Sequence, residues 1–214
     1  MIRELLPQQV AAVETRGDVP GAALAAAERT AVDHAVERRR AEFATARACA
    51  RAAFARLGLP PFPVTSGDGG EPQWPSGLVG SITHCEGYRA CAVARSNELL
   101  TVGIDAEPHT PLPEGVLGEV ARPEELSLLE RLDAARPEVH WDRLLFSAKE
   151  AAYKAWYPLA KRRLGFEQLS LTLDAAGGRF DARPPACTQV GLSGLSGRWL
   201  VRDGLILTAV APLR

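Results

Sequence analysis

The stretch that most constrains the fold is residues 141–159. Trp141, Leu145, Ala148, Ala152 and Ala155 fall on one side of a helical wheel, which predicts a long helix with that side on a core. Strand-length apolar runs surround it. Residues 78–82, 88–94 and 99–104 read as strands, with Ser96-Asn97 as a turn. Leu169, Leu171 and Leu173 alternate as in a half-buried strand, and Gly177-Gly178 then turns the chain into Phe180. Asp203-Gly204 lies between the apolar runs 199–201 and 205–210 and predicts a hairpin. A second helix-rich segment, 22–57, ends at Gly58 ahead of Pro60-Pro61, with Val36, Phe43, Ala50, Phe54 and Leu57 directed at the core. Residues 60–77, rich in proline and glycine, form an ordered loop or flap. Residues 109–140 are mixed, with Pro123-Glu124-Glu125 as a helix start. Each half of the chain, divided near residue 98, holds a helix and several strands. That predicts two packed α/β lobes.

The 214 residues are one large domain or two small ones. A hydrophobic fraction of 46% and a charged fraction of 24% are ordinary for a soluble globular chain. The formal net charge of −1 speaks against a global grip on nucleic acid or a membrane, so neither partner is expected. An anion site must come from local clustering, and arginine dominates the positive charge, with lysine only at 149, 154 and 161. Arginine suits bidentate phosphate contacts. Cys49, Cys85, Cys91 and Cys187 have neither CxxC spacing nor a zinc pattern with the histidines. No stretch reads as a signal peptide or a membrane span, so a cytoplasmic protein with reduced thiols is expected.

Four constellations carry candidate chemistry. Asp105 and Glu107, two apart at a strand end, point to one face, and two close carboxylates suit magnesium. A polar strand end before Pro108 gives the same pattern. Glu150 and Lys154 share a face of the long helix, where they could complete a metal site and hold a phosphate. A surface ion pair has that spacing too. Ser147-Ala148-Lys149-Glu150 matches a capping box, but the apolar period starts well before Ser147. Gly80-Ser81-Ile82-Thr83-His84 presents Ser81, Thr83 and His84 to a possible phosphate. A Ser–His hydrolase uses the same residue types, although the GxSxG elbow is missing. Arg40, Arg47 and Arg51, with Arg39 adjacent, form a basic stripe that either binds an anion or is simply solvated.

Together these residues resemble the 4′-phosphopantetheinyl transferase family, in its larger monomeric type that activates surfactin, enterobactin and polyketide assembly lines. The likeness rests on Val79-Gly80-Ser81-Ile82-Thr83-His84-Cys85, on Val102-Gly103-Ile104-Asp105-Ala106-Glu107-Pro108, and on Phe146-Ser147-Ala148-Lys149-Glu150-Ala151-Ala152-Tyr153-Lys154-Ala155-Trp156. The last two motifs at this separation are specific to the family, and the likeness is closest to actinobacterial members. It implies an α+β fold of two similar lobes, residues 1–98 and 99–214, related by a pseudo-twofold, with coenzyme A in the cleft between them. It implies transfer of the 4′-phosphopantetheine group of coenzyme A to a serine of an acyl or peptidyl carrier protein, releasing 3′,5′-ADP. Asp105, Glu107 and Glu150 would hold Mg2+, and Glu150 would also help deprotonate the serine. Lys154 would neutralise the transferred phosphate; Ser81, Thr83 and His84 would meet phosphates; Arg39 and Arg47 would clamp the 3′-phosphate. The partners implied are carrier domains of fatty-acid, polyketide or nonribosomal peptide synthases, met by a monomer. Residues 112–120 and Lys161-Arg162-Arg163 are the candidate docking segments. Relatives commonly have a basic residue where this chain has Ser66-Gly67-Asp68. A non-catalytic coenzyme A or nucleotide-binding module and a magnesium-dependent nucleotide hydrolase are the competing readings.

Overall fold

The computed structural model describes residues 1–185 and 194–214. The N-terminal half runs through β1 (Ala11–Arg16), a short helix α1 (Ala26–Arg29), the long helix α2 (Glu37–Arg56) and a small hairpin of β2 (Thr65–Ser66) and β3 (Pro72–Gln73). It ends in β4 (Leu78–Cys85) and β5 (Tyr88–Arg95). The second half begins with β6 (Gly103–Pro108), followed by α3 (Val116–Val120), α4 (Pro123–Ala135) and α5 (Trp141–Ala160). It closes with β7 (Ser170–Asp174), β8 (Arg179–Arg183), β9 (Leu195–Arg202) and β10 (Leu205–Val210). The strands form an antiparallel sheet of order β1-β5-β4, another of order β6-β10-β9-β8-β7, and the β2–β3 hairpin.

The two-residue period of β5 sorts its side chains between two cores. Cys91 and Val93 pack with Cys49, Ala50, Ala53 and Phe54 of α2. Tyr88, Ala90, Ala92 and Ala94 turn the other way, onto Ile104, Ala106, Leu205, Leu207 and Ala209 of the larger sheet. On the far face of that sheet, Ile206 and Val210 meet Leu144, Leu145, Ala148, Ala151 and Ala152 of α5. The mixed α/β fold is therefore layered as α2, first sheet, second sheet, α5. Where β4 runs beside β6, hydroxyls replace a main-chain ladder. Ser81 Oγ accepts the Ile104 N–H and Thr83 Oγ1 accepts the Ala106 N–H, each at 3.1 Å. The edge of β6 is thereby satisfied.

Glycine at position 103 lets α5 lie directly on β6. A Cβ there would stand 2.1 Å from the Ala151 carbonyl oxygen and 2.7 Å from the Ala155 nitrogen. A second tie is electrostatic. Lys149 is fully buried, and its three ammonium protons are all used: Nζ donates to Val120 O at 2.8 Å, Glu125 Oε2 at 2.6 Å and Phe166 O at 3.1 Å. Buried Glu125 also accepts the N–H groups of Arg122 and Leu171, both at 2.8 Å. One ion pair thus joins α5 to the end of α3, the start of α4, the 3-10 turn Phe166–Gln168 and β7.

Several expectations need correction. The segment 22–57 is not one helix: α1 passes into a 3-10 turn, Thr30–Val32, and α2 starts only at Glu37. Val36 is an extended N-cap and 73% exposed, because the helical period begins after it. The strand expected at 99–104 begins at Gly103, and Leu99 instead bridges Leu213. Residues 112–120, where Pro113 and Gly115 suggest a loop, are partly helical: Val116–Val120 forms α3, and Val120 is buried. Cys187 lies outside the described residues, while Cys49, Cys85 and Cys91 are free thiols. Among the described residues no helix is long and apolar enough to cross a membrane.

Two stability predictions follow from this packing. Gly103→Ala forces a methyl group into backbone and should cost about 1–3 kcal/mol in urea unfolding. Lys149→Met leaves Glu125 charged and unpaired in the core and should cost about 3–5 kcal/mol in the same measurement.

Candidate active site

A cavity of about 460 Å3 opens between α2, the β2–β3 hairpin, β4 and α5. Arg39 and Arg47 line it from α2, Ser81 and His84 from β4, and Glu150 and Lys154 from α5. The helix spacing explains the α5 side: positions 143, 147, 150 and 154 fall on one face. Trp74 and Tyr157 supply apolar wall, and Gly69 of the hairpin approaches Tyr157 closely enough that a Cβ would sit 2.7 Å from its hydroxyl oxygen. Gly69, Glu150 and Tyr153 also border a second cavity of about 300 Å3, completed by Lys149, Arg163, Leu164, Gly165, Phe166 and Leu169.

The α2 side is cationic. Arg47 is buried with its guanidinium 3.4 Å from the centre of the Phe43 ring. Its Nε donates to the Val64 carbonyl at 3.1 Å and its Nη2 to the Ser66 hydroxyl at 3.4 Å, both neutral oxygens. Burial lowers its pKa to about 10, which still leaves it charged at neutral pH. Arg39 Nη1 donates to His84 Nε2 at 2.6 Å. Partial desolvation, and then the Arg39 charge, lower the His84 pKa, so its imidazole is neutral and accepts that proton.

Behind the α5 wall lies Asp105, buried on β6. Its Oδ1 accepts from Lys154 Nζ at 2.6 Å and Thr83 Oγ1 at 3.2 Å, and its Oδ2 from Ser147 Oγ at 2.9 Å. Desolvation works against the Lys154 charge, but Asp105, with Glu150 and Glu107 beyond it, outweighs that and raises its pKa. Glu107, two residues along β6, accepts from Arg143 Nη1 at 3.0 Å. Burial and the Asp105 charge push Glu107 up to about 7, against the pull of Arg143 and Lys154. Burial likewise raises Glu150, with Lys154 opposing it and Asp105 adding to it.

Among the described residues, no three His, Cys, Asp or Glu side chains could enclose a metal by themselves. The donor set nevertheless fits a hard divalent cation. Asp105 raises the pKa of both glutamates, so the three carboxylates share one negatively charged region that a cation would relieve. Magnesium keeps several waters and uses substrate phosphate oxygens, and does not need a closed protein cage.

The structure gathers Arg39, Arg47, Ser81, His84, Glu150 and Lys154 around one cavity and sets Asp105 and Glu107 behind it. Thr83 stands apart: it is buried, and its hydroxyl is committed to Ala106 and Asp105 instead of facing the cavity. Arg40 also leaves the stripe, holding the Val32 and Asp33 carbonyls, and Arg51 pairs with Glu28. Sequence reasoning passed over Arg143, although it lies seven residues before Glu150 on the same helix face. It also gave no role to Lys149, whose burial no periodicity announces, because its charge is matched by distant Glu125.

Similarity to known proteins gives the family. The model of the 4′-phosphopantetheinyl transferase N-terminal domain matches residues 27–94, and that of the 4′-phosphopantetheinyl transferase superfamily matches residues 101–190. The chain is 48% identical to the 4′-phosphopantetheinyl transferase Svp of Streptomyces mobaraensis, over 99% of this chain and 89% of that protein. It is 45% identical to the 4′-phosphopantetheinyl transferase PptT of Mycobacterium tuberculosis, over 98% of this chain and 97% of that one. Enterobactin synthase component D of Salmonella typhi is more distant, at 27% identity over 82% of this chain and 73% of its own. With near-complete coverage at this identity, the chain belongs to the 4′-phosphopantetheinyl transferase superfamily.

Proposed function

We propose that this chain performs its family's transfer, from coenzyme A to a carrier-protein serine, at the cavity between α2 and α5. The observation that carries this reading is the placement of Arg39 and Arg47 on one wall and Glu150 with Lys154 on the other. Coenzyme A carries a 3′-phosphate and a 5′-diphosphate on one ribose, and the two walls offer cations to these two anionic groups.

In this reading Arg47 and Arg39 take the 3′-phosphate, and Ser81, His84 and Lys154 meet the diphosphate. Asp105, Glu107 and Glu150 would hold Mg2+, which when bound would draw charge from the diphosphate oxygens. Glu150 takes the proton of the carrier serine, directly or through water. The serine oxygen then forms a bond to the β-phosphorus of coenzyme A, while the bond from that phosphorus to the bridging oxygen breaks. 3′,5′-ADP leaves with the electron pair, and Lys154 offsets the charge gathering on the phosphoryl oxygens. The side chains contribute position, charge and one proton acceptor.

The halves 1–98 and 99–214 are read as similar lobes, because each lays a long helix on an antiparallel sheet. The carrier is read as docking on residues 112–120, where α3 ends against Lys149 beside the second cavity. Lys161-Arg162-Arg163 supplies a basic rim, from which Arg163 reaches that cavity. Such a surface would steer an acidic carrier toward Glu150. A single copy of the chain holds all these groups, which supports a monomer.

Intact-mass measurement of an apo carrier protein, incubated with the chain, coenzyme A and Mg2+, should show addition of one phosphopantetheine group. Glu150→Gln should slow that addition roughly a hundredfold or more while the protein melts normally. Undiminished transfer would remove Glu150 from the chemistry. Arg47→Met should weaken coenzyme A by about tenfold and leave its 3′-dephospho analogue nearly unaffected. Equal losses in a calorimetric titration would show that Arg47 does not meet the 3′-phosphate.

A further inference from the structure

The first turn of α5 holds the segment that follows β6 almost residue by residue. All three nitrogen positions of the Arg143 guanidinium are engaged: Nη1 donates to Glu107 Oε2 at 3.0 Å, Nε to Thr110 O at 3.2 Å and Nη2 to Pro111 O at 2.7 Å. Next to it, Asp142 Oδ2 accepts the Leu112 N–H at 2.7 Å. The His140 N–H is donated to His109 Nε2 at 3.2 Å, with the two rings 4.7 Å apart. Arg143 is mostly buried, and its side chain is 15% exposed. A planar fork of this kind fixes direction as well as charge, which a lysine cannot do.

We propose that Arg143 is a positioning residue that makes the Glu107 carboxylate and the segment His109–Leu112 one rigid unit, coupling carrier docking to the geometry of the reacting site. The physical reason is that a single guanidinium plane cannot keep its bond to Glu107 if the Thr110 and Pro111 carbonyls move, nor the reverse. The segment leads straight into residues 112–120, so a partner seated there is held in register with β6. Asp142 ties the same segment at Leu112 without touching Glu107, and this gives the test its contrast. The inference rests on the reading that carrier protein docks at 112–120 and that Glu107 serves the reaction.

Steady-state kinetics with coenzyme A and an apo carrier protein separate the two effects. Arg143→Ala should lower kcat and raise the carrier KM together, each by about tenfold. Asp142→Ala should raise the carrier KM alone. Arg143→Lys keeps a charge for Glu107 but lacks the fork, so it should restore most of kcat and little of the carrier KM. If Arg143→Ala fails to fold, Arg143→Gln, which keeps the aliphatic stem and a planar amide, carries the same expectation. A fall in kcat without a change in carrier KM would overturn the coupling. Leu117→Glu, checked for a normal melting curve, tests the underlying reading. If it leaves the carrier KM unchanged, the docking surface is wrong whatever Arg143 does. If it raises the carrier KM and Arg143→Ala does not, the coupling itself is wrong.

Discussion

The close approach of α5 to β6 at Gly103 sets most of what this protein can do. With no side chain between helix and strand, the Ala151 carbonyl can sit where a Cβ would otherwise stand. Two residues along the strand, Asp105 then comes within hydrogen-bonding distance of Ser147 and Lys154. A helix held further from the sheet by one methyl group would separate that carboxylate from both donors. From the other side Thr83 reaches the same carboxylate, so Asp105 is where β4, β6 and α5 meet. The hydroxyls of Ser81 and Thr83 serve as edge acceptors on β6, which brings the smaller sheet to that junction without a continuous ladder.

Burying a carboxylate is costly unless its partners are fixed, and here they are fixed by helix packing. The cost appears elsewhere, in the neighbouring acids. Glu107 and Glu150 both bind protons more tightly than free carboxylates, first through burial and then with the Asp105 charge adding to it. The acidic cluster therefore favours added positive charge, whereas Arg39 and Arg47 on the α2 wall favour added negative charge. The polarity of the cavity runs from α2 to α5, so a ligand carrying phosphates and a cation has one favourable orientation in it.

Much of this was legible in the sequence where a local period or a glycine carries the message. The α5 stripe, the β4–β5 pair and the hairpin around Asp203-Gly204 needed only side-chain alternation and turn chemistry. The pairing of Glu150 with Lys154 on one face followed from helical spacing. What was not legible depends on tertiary partners. Thr83 looks like a phosphate donor in isolation, but a neighbouring strand edge takes its oxygen and Asp105 takes its proton. Val36 has the right spacing for the core and sits outside it, because it is the extended N-cap and the helix begins one residue later. Nothing local marks Lys149 for burial; its partner Glu125 is far away in sequence.

Arg47 shows how the same burial that strains a site also prepares it. Its guanidinium is stacked on Phe43 and bonded to neutral oxygens, so desolvation lowers its pKa without taking its charge at neutral pH. Water normally screens an exposed arginine and most of its attraction for an anion is lost. A cation already stripped of that water gives up little further hydration when an anion arrives, and its direction is set in advance by Val64 and Ser66. Ser66, in the loop Ser66-Gly67-Asp68 for which the family resemblance implies a basic residue, carries no charge. In this chain the position does not add a second charge; its hydroxyl helps orient the charge Arg47 already brings.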